Sequence, residues 1–439
     1  MSVSRSGPAF AVTLRNAVMA RVRHLLAIVG PAVLVSVGYT DPGNWATDLE
    51  GGTRFGYTLT WVLVASSTMV ILLQTLSARL GIVSGLNLAE ACRAGYSRRV
   101  NFGLWVLAEL GIIACDAAEV IGSAIALNLL FGLPLMMGAI LTTVDVLAVL
   151  ALQHRRLAVL QATIGALVLV IAGCLAWEMW LVRPSGQALL TGLYPRLPPG
   201  ALYTAIGILG ATLMPHNLYL QSALVPRGSD PKTLRRSLRQ SWLSTAIALN
   251  LALLLNVAIL LLSAEAFARR GLLVNDLREA HQLLSPLLGS SVASLLFAVG
   301  LLCSGQSATV TGTLAGQIVM EGFLQTRLSP VMRRLLTRCA AVVPALLVLG
   351  AVGSRGMMPL LIGSQVVLGL QLPFAIVPLL RLTSCSKLMG SWVSRPAMRW
   401  LAAGCAVAVC SANALLLWKT FVDLGGIGSL VGAFLAACA

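Results

Sequence analysis

Two polar interruptions inside apolar runs carry residue types that bind cations. Asp41-Pro42-Gly43-Asn44 breaks the run that begins at Leu25, and Met214-Pro215-His216-Asn217 breaks the run from Leu202 to Val225. Together they offer a carboxylate (Asp41), an amide oxygen (Asn44) and a thioether (Met214), with unwound carbonyls expected at Gly38 and Ala211. A site for Ca²⁺ or Mg²⁺ would be all oxygen, whereas one sulfur ligand favours softer first-row ions such as Mn²⁺ or Fe²⁺. Methionine also fills gaps in cores, so plain packing is the competing reading of Met214. Asp41 has a weaker competitor, because an acid at the centre of a membrane span costs about 2.5–3.5 kcal/mol on insertion scales and marks function by default.

A second group could move protons. Glu109, Asp116 and Glu119 stand in an otherwise apolar stretch from Trp105 to Ile121. At roughly 100° per residue they fall within about 80° of one another, on one face of one helix. Such a face suits a relay, or else a structural ion-pair network with an inward arginine such as Arg338. His216, beside the second break, titrates near neutral pH in an ordinary setting and could take part, or could be a hydrogen-bonded structural residue. Gln365, early in its apolar run, could bring an amide oxygen to the cluster or cap a neighbouring helix; Asp145 reads as a helix-packing hydrogen bond.

The elements that must position these groups are membrane spans. The chain has 439 residues, 58% hydrophobic and 10% charged, against about 25% charged in soluble domains. Apolar runs long enough to cross about 30 Å of hydrocarbon, or nearly so, fall at 25–50, 57–78, 101–131, 134–153, 157–181, 201–225, 241–263, 286–321, 339–354, 356–380 and 398–418. The expected fold is an all-α membrane protein of about eleven transmembrane helices; the tail 424–438 is short for a twelfth. With the N-terminus inside, most of the 31 basic residues collect on the cytoplasmic side, Arg79, Arg235, Arg239, Arg333, Arg338 and Arg395 among them. This placement, rather than nucleic-acid binding, accounts for the net charge of +16. The nine cysteines form no CxxC pair and read as small core residues, and no removable signal peptide is evident.

The sixth run is the most telling. Twelve residues precede Met214 and eight follow Asn217, so neither part crosses alone and the break must lie inside the bilayer. Both breaks share Pro-x-Asn and open the first and sixth spans. Interrupted helices at corresponding positions of two halves point to a midplane site in an inverted-repeat transporter. The expected organisation is a cytoplasmic segment 1–24, five-helix repeats at 25–181 and 201–380, and an eleventh helix with its tail at 398–439.

At this point the chain resembles the natural resistance-associated macrophage protein (NRAMP) family, of the bacterial manganese-transport type. The resemblance runs from about Gly30 to Trp418 and rests on Asp41 to Asp48, Gln74 to Gly81, Asp116 to Gly122, Met214 to Leu220, Gly305 to Gly322 and Ser364 to Leu368, in order and on the expected spans. It implies a LeuT-type 5+5 inverted repeat with discontinuous helices 1 and 6, and proton-coupled import of Mn²⁺ or Fe²⁺. The metal would be held by Asp41, Asn44 and Met214, by the carbonyl of Gly38 or Ala211 according to state, and by Gln365 in the closed state. Glu109, Asp116, Glu119, His216 and Arg338 match the family's proton route. Many members carry a second histidine where this chain has Gln221, so a proton role at that position is absent or replaced here.

The reading is a secondary transporter and not an enzyme. Its partners are a divalent metal ion as cargo, protons and the lipid bilayer, with no cofactor and no nucleic acid, and it is expected to work as a monomer in a bacterial inner membrane. The alternative on the same architecture is a symporter for an amino acid or other organic solute, which would not need Met214. A membrane hydrolase is remote: the chain has no HExxH, no GxSxG and only four histidines.

Overall fold

The computed structural model describes residues 37–142, 157–226, 230–290, 292–325 and 329–423. The segment 1–24, the start of the first apolar run, Asp145 and the tail 424–438 lie outside the described residues. The helices are α1 (Pro42–Phe55), α2 (Thr60–Ser84), α3 (Leu88–Gly95), α4 (Arg98–Phe131), α5 (135–142), α6 (Leu157–Val182), α7 (Gly186–Gly192), α8 (Leu202–Leu213), α9 (Pro215–Leu224), α10 (Pro231–Ala266), α11 (Leu277–Leu288), α12 (Ala293–Leu324), α13 (Pro330–Val352), α14 (Met357–Gln371), α15 (Pro373–Thr383), α16 (Ser386–Met389) and α17 (Pro396–Asp423). Among the described residues, seven helical stretches are long and apolar enough to cross a bilayer. The remaining expected spans are the sixth, cut at Met214, the ninth, whose apolar part Leu335–Ala351 is short, and the first and fourth, of which only parts are described.

Local chemistry sets the helix starts. Proline stands in the first turn of α1, α9, α10, α13 and α15, where its missing N–H costs nothing. Asn87 and Glu90 form a reciprocal capping box at α3, and Asp230 caps α10. Two expected spans shift. The run 286–321 joins the end of the amphipathic α11 to the span α12, because hydropathy averages over the Gly289-Ser290 stop between them. The helix of the ninth span, α13, starts at Pro330, nine residues before the apolar run, so Arg333 is a buried helix residue and not a cytoplasmic loop charge, and Arg338 is buried beside it, inward as expected. They are tolerated there because carboxylates on α4 neutralise them. Cys339 and Cys410 are exposed on the protein surface, unlike the core role expected of the cysteines.

The centre of the bundle is built by α4 against α12, with α1 and α9 packed beside them. Trp45 on α1 is fully buried edge-on against Phe297 of α12, ring centroids 5.2 Å apart. α8 lies against α14 so closely that a Cβ on Gly210 would sit 2.0 Å from the carbonyl oxygen of Gln365 and 2.6 Å from the amide of Gly369. Both neighbours are backbone and cannot rotate away. Gly210→Ala is therefore expected to lower stability by about 1–3 kcal/mol through overpacking, read as a fall in melting temperature of the purified protein. An unchanged melting curve would contradict this contact.

Candidate metal centre

Asp41 stands between a short 3-10 turn, Val37–Thr40, and α1, and its Oδ1 accepts the backbone N–H of Asn44 at 2.8 Å. One carboxylate oxygen thus caps the helix while Oδ2 faces α4, 3.9 Å from the thiol of Cys115. Asn44 follows within the first turn of α1; neither its Oδ1 nor its Nδ2 has a hydrogen-bond partner among the described residues. The second break is sharper. Met214 separates α8 from α9 with φ 34°, left-handed backbone that a non-glycine residue adopts at a cost of about 1–3 kcal/mol. Its sulfur accepts from Nδ2 of Asn217 at 3.4 Å.

The expected carbonyls follow from one rule of helix geometry. Pro42 and Pro215 have no N–H to donate, so the carbonyls four residues before them, Gly38 and Ala211, lose their regular helical donor. Pro373 does the same to Gly369, but there Nδ2 of Asn413 supplies a hydrogen bond at 2.8 Å. The two breaks are neighbours: Nδ2 of Asn217 lies where a Cβ on Gly38 would fall, at 2.6 Å. Gln365 arrives from α14. Its side-chain amide packs directly over Gly43, where a Cβ would clash at 1.9 Å, and its Oε1 has no partner among the described residues. Asp41, Asn44, Ala211, Met214 and Gln365 are all sealed from solvent. Buried oxygens without partners are costly, and a bound cation would satisfy them.

The charged residues divide into a trio and a pair. Arg338 is 0% exposed; its guanidinium lies 3.0 Å from Glu119, 3.9 Å from Asp116 and 3.1 Å from the hydroxyl of Thr309. Glu109, on the same helix, bonds Arg333 instead, at 3.0 and 3.1 Å, and takes the indole N–H of Trp105. His216 is buried, its Nε2 3.9 Å from the Cys115 sulfur. Cys115 therefore touches Asp41, Glu119 and His216 at once and connects the break in the first span to the α4 acids.

Residues 32–419 match the family described as natural resistance-associated macrophage protein-like. The chain belongs to this family. It is 52% identical over 403 residues to the "Divalent metal cation transporter MntH" of Xanthomonas campestris, covering 90% of this chain and 91% of that one. With the protein of the same description from Listeria innocua it shares 47% over 410 residues, 92% of each. A crystal structure of the Eremococcus coleocola manganese transporter superposes with a TM-score of 0.84 at 34% identity, over 100% of this chain and 94% of that one. The nucleobase-cation-symport-1 transporter Mhp1 superposes at 0.60 with 13% identity over 83% of this chain and 81% of its own, a likeness of fold alone. The chain is an all-helical, multi-pass membrane protein of the NRAMP and LeuT-type fold.

Gln221, at the position where the resemblance implies a second histidine in many members, donates its Nε2 to the Thr245 hydroxyl at 3.1 Å, tying α9 to α10. Several polar residues at the site escaped the sequence reading. Cys115 looked like core, Thr309 entered only as part of the Gly305 to Gly322 motif, and Arg333 was counted among the cytoplasmic charges. Asp48 and Glu178 are also fully buried acids, with no hydrogen-bond partner for either carboxylate among the described residues. The signal available for Asp48 was its i+4 spacing from Asn44; for Glu178 it was an acid late in an apolar run.

Proposed function

We propose that the chain is a proton-coupled symporter that imports Mn²⁺ and/or Fe²⁺ across the bacterial inner membrane, N-terminus cytoplasmic, acting as a monomer. Deprotonated Asp41, the amide oxygen of Asn44 and the sulfur of Met214 hold the ion, the carbonyl of Ala211 or Gly38 joins them according to state, and Gln365 closes over it. The observations that support this reading are the burial of Asp41, Asn44 and Met214 at two helix breaks that Asn217 brings side by side, and the amide oxygens of Asn44 and of Gln365, packed over Gly43, which have no partner among the described residues. The cargo class is supported by the relatives near 50% identity, which are divalent metal cation transporters.

Mixed oxygen and sulfur donors suit a borderline divalent ion and penalise Ca²⁺ and Mg²⁺. Protons leave through Cys115's neighbourhood to His216, Asp116 and Glu119, with Arg338 balancing the acids and the Glu109 and Arg333 pair beyond them. Alternating access rocks the repeat 25–181 against 201–380, with 398–439 outside the repeats. Each half contributes one break, so opening on either side exposes the ion without dismantling both ligand sets.

The test is uptake into proteoliposomes with Mn²⁺, Fe²⁺, Cd²⁺, Mg²⁺ and Ca²⁺ at two external pH values. The first three are expected to be taken up faster at the more acidic value, the last two to be excluded. Met214→Ala is expected to keep Mn²⁺ binding and to admit Ca²⁺ as a competitor, because only the soft ligand is lost. Unaltered discrimination would remove Met214 from the ligand set, and an organic-solute symporter would show no metal uptake in any variant.

A further inference from the structure

Away from the metal centre, the ends of α2 and α10 and the segment 391–395 enclose a cleft of about 790 Å³. Arg79, Arg235, Arg239 and Arg395 line it together with Trp242 and Trp392. Arg79 donates to the carbonyl of Trp392 at 2.8 and 3.0 Å and to that of Val393 at 3.4 Å, which pins the segment over α2. Arg235 lies over the Trp392 ring, 6.0 Å from its centroid. On α10, Arg235, Arg239 and Trp242 are spaced i, i+4, i+7 and share one face. No carboxylate lines the cleft, and none of these four arginines forms an ion pair among the described residues. Four like charges gathered without a counter-ion are unfavourable, so the group that completes the cleft is an anion.

The surroundings say what kind. Beyond the arginines, α10 presents exposed apolar side chains in sequence: Trp242 at 51%, Leu243 at 50%, Ile247 at 56% and Leu254 at 66%. A soluble anion has no use for such a track, whereas acyl chains do. The arginine distribution assigns this end of the bundle to the cytoplasmic leaflet, where basic pockets between spans meet anionic headgroups. We propose that the cleft binds the phosphate headgroup of an anionic phospholipid, with its acyl chains along Leu243, Ile247 and Leu254. Bound there, the lipid ties α2 and α10 to the segment that leads into α17.

The proposal is tested by native mass spectrometry of the full chain titrated with phosphatidylglycerol and, separately, phosphatidylcholine. The parent protein should retain phosphatidylglycerol preferentially. Removing three charges by Arg235→Gln, Arg239→Gln and Arg395→Gln together should weaken it on the order of a hundredfold, with phosphatidylcholine adducts unchanged. If the triple variant does not fold, Arg239→Gln or Arg395→Gln alone should each weaken retention roughly fivefold. A variant carrying Arg98→Gln, Arg99→Gln and Arg236→Gln, equal in charge but outside the cleft, should bind like the parent. Equal losses in both triple variants, no preference for phosphatidylglycerol in the parent, or displacement of the lipid by inorganic phosphate would each overturn the assignment.

Discussion

Replacing Asp41 with alanine is expected to abolish Mn²⁺ uptake in proteoliposomes. Two effects are superimposed in that variant, because Asp41 both caps α1 and is proposed to face the ion. Losing the cap costs about 0.5–2 kcal/mol. Asp41→Asn separates the two: asparagine caps as well as aspartate, but it brings no charge to a divalent cation and no proton to release. Both variants should fold, with Asp41→Asn melting closer to the parent, and both should fail to transport. Uptake at the parent rate by Asp41→Asn would show that the carboxylate serves the helix and not the metal.

Arg338→Met is expected to destabilise the protein by about 3–5 kcal/mol, the usual consequence of leaving buried carboxylates without their cation. Arg338 is fully buried and holds Glu119 at 3.0 Å, Asp116 at 3.9 Å and Thr309 at 3.1 Å, so its loss affects one face of α4 and of α12 together. The double variant Arg338→Met with Glu119→Gln should recover much of the loss, since one of the stranded charges is then gone. Thermal melting of Arg338→Met, Glu119→Gln and the double variant in detergent measures this cycle. A parent-like melting curve for Arg338→Met would mean that the guanidinium does not support the α4 acids, and their proposed place in proton movement would lose its electrostatic basis.

The fold class and both helix breaks were legible in the chain. Long apolar runs require helices in a bilayer, and a proline set among turn- and cap-forming residues, as Pro42 is between Asp41 and Gly43, interrupts a helix, whereas Pro286, Pro344 and Pro378 stand inside helices without ending them. The boundaries of α12 and α13 were less legible. A hydropathy window averages across the Gly289-Ser290 stop and excludes the charged first turns of α13, although Arg333 and Arg338 belong to its buried face. Glu109, Asp116 and Glu119 were placed on one face correctly, but periodicity alone does not say which arginine each acid meets. The answer, Arg333 for Glu109 and Arg338 for the other two, depends on how α13 slides along α4.

The amino-acid sequence by itself determined that this chain spans a membrane, where its helices are interrupted, and which ligand chemistries sit at the interruptions, because these depend on composition and on backbone donors lost within a few residues. Only the tertiary structure decided which distant side chains meet: Cys115 between Asp41, Glu119 and His216, the amide of Gln365 over Gly43, and the arginines of α13 against the acids of α4. Apart from Cys115 and Glu119, one turn apart on α4, those pairings join residues from tens to hundreds of positions apart, and their distances are set by the packing of whole helices, which no local pattern encodes.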